Sequence, residues 1–205
     1  MLKQVFFEIA KKYTIDNSLI EKLWMEIKKQ YSGKKRHYHN LTHLENLHTQ
    51  LNVVKRNIQD WDTVMFSLFY HDVVYNVLKH DNEEKSAELA VKQLAEISVP
   101  AAIINKCKAQ ILATRGHNVS EDNDTNLFTD ADLSILGQPA DVYKTYCEQI
   151  RKEYSIYPDI IYNPGRKKVL EHFLQMERIF KTTVFYDLFE GQARMNIAEE
   201  KERLG

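Results

Sequence analysis

Two histidines four positions apart, His39 and His43, precede a His-Asp step, His71-Asp72, and then an aspartate in apolar surroundings, Asp132. Imidazole nitrogens and carboxylate oxygens together hold divalent metals of the hydrolytic kind. The dipeptide alone says little, because eight His and 12 Asp in 205 residues would give about half a His-Asp pair in random order. The information lies in the ordered set His…His-Asp…Asp, each member set in a helix-like apolar pattern. A buried carboxylate or imidazole in such a setting needs partners, and a metal ion supplies them.

The elements that must position these residues read as helices. Apolar residues recur at i, i+3, i+4 spacing, as in Leu19, Ile20, Leu23, Trp24 and Ile27, and no strand-like alternation persists. The pattern predicts helices over residues 2–12, 17–31, 41–54, 63–78, 82–97, 100–114, 127–136, 139–154, 166–180 and 186–204. Loops are expected over 117–125 and 157–165, the latter from Pro158, Pro164 and Gly165. Gly33 and Gly137 read as helix stops and Pro100 and Pro139 as helix openers. The expected fold is all-α, a single helical domain over 1–205, with a metal-binding core over about 38–136 and a helical extension over 139–205.

On a helix, His39 and His43 share one face, a turn apart. If that helix begins near Asn40, His39 lies at its mouth. His71 and Asp72, read as neighbours on a helix, diverge by about 100°, so an ion bound by both must sit close to the helix surface. Asp132 is flanked by Leu127, Phe128, Leu133, Ile135 and Leu136.

Composition narrows the function classes. At 43% hydrophobic the chain can bury a sizeable core. A formal charge of −1 argues against binding to nucleic acid polymers or membrane surfaces, which favour a strong positive field. The start MLKQVFFEIAKKY is too polar for a secretion signal. Cys107 and Cys147 lack C-x-x-C spacing, so reduced thiols and a cytoplasmic setting are expected.

The order His43…His71-Asp72…Asp132 resembles the HD-domain superfamily of metal-dependent phosphohydrolases, and Ala131-Asp132-Leu133 resembles that superfamily's last ligand motif. Tyr38-His39-Asn40…His43 is similar to the opening motif of the cyclic nucleotide phosphodiesterases, where the first His is the general acid and the second a ligand. A longer likeness, over RHYHNLTH, YHDVVYN, DNEEKSAELA, ATRGHN, DADLSILG, IRKEY and EGQARMN, is to a bacterial subfamily of HD phosphohydrolases of unknown substrate. The resemblance implies His39 as proton donor and His43, His71, Asp72 and Asp132 as metal ligands. The chain departs from the pattern at Tyr75, where many HD nucleotidases carry Glu; Glu83 is a candidate to serve in its place. Without further histidine ligands beyond His80 and His117, a single tightly held ion is expected.

The mechanism expected from this set is metal-assisted hydrolysis of a small phosphorylated substrate, possible nucleotides included, by attack of an activated water. The ion is Mn²⁺, Mg²⁺, Co²⁺, Ni²⁺, Fe²⁺ or Zn²⁺, since two imidazoles and two carboxylates discriminate weakly among them. Catalytic candidates are His39, Asp72 and Glu83. Arg36, Arg115 and Arg151 are candidates to meet phosphoryl charge, and Tyr75 to stack on a base. Asp130 and His117 are candidates to orient the ligands from behind. A homodimer is compatible with the reading. The alternative is a catalytically weak, metal-bound nucleotide sensor.

Overall fold

The computed structural model describes residues 1–204. Among them are ten α-helices and no strand, so the all-α expectation holds. No helix is long and apolar enough to cross a membrane. The chain forms two compact units, the first spanning Met1–Thr129 and the second beginning at Asp130.

The first unit contains α1 (Leu2–Ala10), α2 (Asn17–Tyr31), α3 (Leu41–Val53), α4 (Trp61–Tyr70), α5 (Asn82–Glu96), α6 (Ala101–Ala113) and most of α7 (Asn123–Leu133). Its centre is α4. Every residue from Thr63 to Tyr70 is buried, and α1, α3, α5 and α6 all pack against this helix. A helix that is apolar all round must be enclosed in this way. Phe69 on α4 meets Phe6 edge to face at 5.2 Å and Trp24 at 6.2 Å. The start of α4 is fixed by Asp60, whose carboxylate accepts from the Thr63 amide at 3.1 Å and the Thr63 hydroxyl at 2.7 Å. The buried Asp124 carboxylate accepts from the amides of Gln59 and Asp60 at 2.9 and 2.8 Å, tying the first turn of α7 to the lead-in of α4.

The helix expected over 63–78 stops at Tyr70, and the reason is a side chain. Continuing α4 would require the Asp72 amide to bond the Leu68 carbonyl. That carbonyl instead accepts from His71 Nδ1 at 3.0 Å, and the Asp72 amide donates to the Tyr31 hydroxyl at 3.2 Å. The following turn is held by α5: Ser86 Oγ bonds both the amide and the carbonyl of Val74, at 3.1 and 3.2 Å. Asn82 does the same for Asn76, at 3.0 and 3.1 Å.

The helix expected over 127–136 begins earlier, at Asn123, because Asp122 accepts from the amide and hydroxyl of Thr125 at 3.1 and 2.7 Å. It gives way to a 3₁₀ turn over Ser134–Gly137.

The second unit contains that turn, α8 (Ala140–Glu153), α9 (Asp159–Gln175) and α10 (Thr183–Arg203). Residues 159–165, expected as a loop, form the first turns of α9, with Pro164 inside the helix. Proline there removes one amide and costs about 3 kcal/mol. Tertiary contacts outweigh the loss: Tyr162 and Leu170 are buried, and Arg166 makes two hydrogen bonds to Glu200 on α10, at 2.8 and 2.9 Å. The helix expected over 166–180 ends at Gln175. There Arg194 of α10 takes the carbonyls of Leu174, Met176 and Glu177, at 3.2, 2.9 and 3.1 Å.

Candidate metal centre

His43 stands on the first turn of α3, which Asn40 caps by accepting from the amides of Thr42 and His43 at 2.8 and 3.4 Å. His39 lies just outside that cap, at the mouth of the helix. His71 and Asp72 follow the last residue of α4, so they are not two successive positions inside a helix. The turn lets both side chains face the same point. His71 Nε2 is 3.1 Å from His43 Nε2 and 3.1 Å from Asp72 Oδ2. Asp72 Oδ2 lies 3.8 Å from His43 Nε2 and 3.9 Å from His39 Nε2.

Asp132 is carried by the last turn of α7, a continuous helix whose first seven residues belong to the first unit. It follows Phe128 by one turn, and the Phe128 ring meets that of His71 edge to face at 5.8 Å.

The chemistry of the donors fits an ion. A carbonyl oxygen can only accept, so His71 Nδ1 carries the hydrogen given to Leu68, and its Nε2 presents a lone pair to the cluster. That lone pair faces His43 Nε2 and a carboxylate oxygen, an arrangement that requires a cation or a proton among them. Donors bonded at about 2.1 Å to one ion stand about 3.0–3.5 Å apart, and the two contacts of 3.1 Å lie in that range. Burial opposes the charge on Asp72, but the imidazoles of His71, His39 and His43 outweigh it and hold the carboxyl well below the usual carboxylate range.

Aromatic rings fix the imidazoles. Tyr75 packs on His39 with ring centres 4.2 Å apart, and Tyr38 lies 5.0 Å from His39 and 4.9 Å from His43. His39 remains partly open, with 19% of its side chain exposed, whereas 4% of His43 and 1% of His71 are.

Other candidates from the sequence take different positions. Arg36 gives its guanidinium to three main-chain carbonyls, those of His39, Asp72 and Val73. Arg115 pairs with Glu84 at an exposed position. Arg151, in the second unit, bonds the carbonyls of Tyr154 and Tyr157 at 3.1 and 3.0 Å and Asp159 at 2.7 Å, which closes the α8–α9 corner. Glu83 stands on the first turn of α5 and makes no hydrogen bond to His39 or Asp72. Asp130 accepts from the amides of Lys181 and Thr182 at 3.0 and 2.7 Å and pairs with Lys181 Nζ at 2.8 Å, anchoring the start of α10. His117 follows α6 in a left-handed conformation, φ 48°. Burial pushes the thiols of Cys107 and Cys147 up to about 12, so neither offers a thiolate nucleophile at neutral pH.

Sequence reasoning missed Tyr31 and the Leu68 carbonyl. A tyrosine at the end of an amphipathic pattern carries no local mark of a hydroxyl that receives an amide 41 positions away. Comparison with known proteins finds no match: no family model fits the chain, and no curated protein and no solved structure is similar to it.

Proposed function

We propose that this protein is an HD-type metal-dependent phosphohydrolase acting on a small phosphate ester, a class that includes nucleotides. The observation that supports it is the convergence of His43, His71 and Asp72 on one point, with a partly open His39 at the rim. His43, His71, Asp72 and Asp132 would hold the ion. Two imidazoles and two carboxylates accept Mn²⁺, Mg²⁺, Co²⁺, Ni²⁺, Fe²⁺ or Zn²⁺. When bound, such an ion supplies a Lewis acid for a phosphoryl oxygen and acidifies a water.

The chain's own residues do the rest. Asp72, an aspartate ionised at neutral pH by its ordinary acidity, would serve as a ligand. The hydrogen bond from His71 to Leu68 keeps its Nε2 lone pair aimed inward. His39 has exposure enough to reach a leaving-group oxygen and give it a proton, and the Tyr75 ring holds its plane.

A second reading, a metal-bound nucleotide sensor with little turnover, is favoured by one observation. Arg36, Arg115 and Arg151, the cations expected to meet phosphoryl charge, are each committed elsewhere. Phosphate release from a panel of nucleotides and phosphate esters, with Mn²⁺, Co²⁺, Mg²⁺, Ni²⁺ or no metal, separates the two. Metal-dependent release that disappears in Asp72→Ala supports hydrolysis. No release from a protein that binds one ion per chain supports the sensor. A chain that binds no ion overturns both.

A further inference from the structure

Arg36 joins two parts of the site that are distant in sequence. Its Nη1 donates to the His39 carbonyl at 3.1 Å and to the Asp72 carbonyl at 2.6 Å, and its Nη2 to the Val73 carbonyl at 2.9 Å. The guanidinium carbon lies 4.9 Å from the ring centre of Tyr31 and 5.4 Å from that of Tyr75. Each ring has its own tie to the site. The Tyr31 hydroxyl receives the Asp72 amide at 3.2 Å, and Tyr75 covers His39 at 4.2 Å.

This arrangement uses what distinguishes arginine. A planar fork serves several carbonyls in one plane and stacks on aromatic faces, and its charge does not titrate in the working range. Charged donors make the stronger hydrogen bonds. The carbonyls of Asp72 and Val73 belong to an irregular turn, where no helical amide reaches them. A lysine ammonium can satisfy part of this set but cannot span it as a flat fork between two rings.

We infer that Arg36 is a positioning residue: it fixes the spacing between His39 and Asp72 through the backbone, and so sets the geometry of the proton donor relative to the metal ligands. The inference rests on the metal-centre reading above. Without the fork, the Asp72-Val73 turn and the lead-in to α3 move independently, and displacements of about 1 Å are enough to spoil a coordination or proton-transfer geometry.

The test compares wild type, Arg36→Lys and Arg36→Met, with the surface variant Lys3→Gln as control. Three quantities are read: Co²⁺ affinity by titration calorimetry, the visible absorption bands of the Co²⁺-loaded protein, and near-ultraviolet circular dichroism well below the melting temperature. Removing an outer partner of a metal ligand typically weakens metal binding by about 10- to 100-fold. That loss is expected in both Arg36 variants, with altered Co²⁺ bands and retained dichroism, while Lys3→Gln matches wild type. Should Arg36→Met fail to fold, Arg36→Lys decides, since it keeps the charge and most of the stem. Wild-type affinity and bands in Arg36→Lys, even with a lower melting temperature, overturn the inference and leave the metal centre standing. Failure of the wild type itself to bind Co²⁺ overturns the metal centre and this inference with it.

Discussion

The Nε2 atoms of His43 and His71 stand 3.1 Å apart, although the residues are 28 positions apart in the chain. With Asp72 Oδ2 also 3.1 Å from His71, the three donors enclose a point suited to a cation. Wild type is therefore expected to bind one divalent ion per chain. A ligand present at a hundred times its Kd stabilises the folded state by about 2.7 kcal/mol. Thermal melts with Mn²⁺ or Co²⁺ and then with chelator read this directly. His43→Ala and His71→Ala should lose the shift, and a wild-type melt indifferent to metal would sink the prediction.

The Tyr75 and His39 ring centres lie 4.2 Å apart with their planes inclined by 30°, so the tyrosine restricts the orientation of the candidate proton donor. Tyr75→Ala is expected to lower phosphate release by about 10-fold, less than the roughly 10²- to 10⁴-fold that a positioned acid itself supplies, because the acid stays and only its support is lost; metal affinity stays within about twofold. Steady-state kinetics and calorimetry on one preparation check both halves. Equal losses in release and in metal binding would assign Tyr75 to the ligand set instead.

Glu200 is buried with Arg166, and its carboxylate also accepts from the Tyr143 hydroxyl. Burial works to raise its pKa, but the Arg166 hydrogen bonds and charge outweigh burial and hold it below the ordinary 4.5. A folded-state pKa below the unfolded one contributes stability that is complete above the unfolded value and lost as pH falls through the folded value. Wild type should lose urea resistance as pH falls below about 4.5, and Glu200→Gln should lose less over the same range. Arg166→Met leaves the carboxylate buried without its partner and is expected to cost about 3–5 kcal/mol at neutral pH. Parallel acid slopes in wild type and Glu200→Gln would contradict this.

Gly137 packs directly on Phe189. A Cβ placed on Gly137 would fall 2.6 Å from the Phe189 carbonyl oxygen and 2.8 Å from its Cα, and backbone cannot yield as a flexible side chain can. Gly137→Ala should cost about 1–3 kcal/mol, the usual range for overpacking. Gly165→Ala, with open space around the new methyl, should stabilise α9 by about 0.5–1 kcal/mol. Denaturant midpoints of the two variants should move in opposite directions.

The all-α class, most helix starts and the candidate ligands could be read from sequence, because they depend on local periodicity, capping residues and residue type. Asn40 before α3 and Asp16 before α2 cap within their own first turns, and such contacts are written in adjacent residues. The end of α4 was decided otherwise. The apolar pattern runs on past Tyr70, and what stops the helix is His71 folding back onto the Leu68 carbonyl while Tyr31, Arg36 and Ser86 capture the backbone that follows. The first turns of α9 were hidden for the opposite reason: Pro164 marks a local break, and burial of Tyr162 and the Arg166–Glu200 pair overrides it. Sequence by itself determined which groups were available to bind a metal. Only the tertiary structure decided that Asp72 leaves the helix and turns toward His43 and His71, and that Arg36 faces inward to hold it, because those outcomes depend on hydrogen bonds between segments that local sequence cannot bring together.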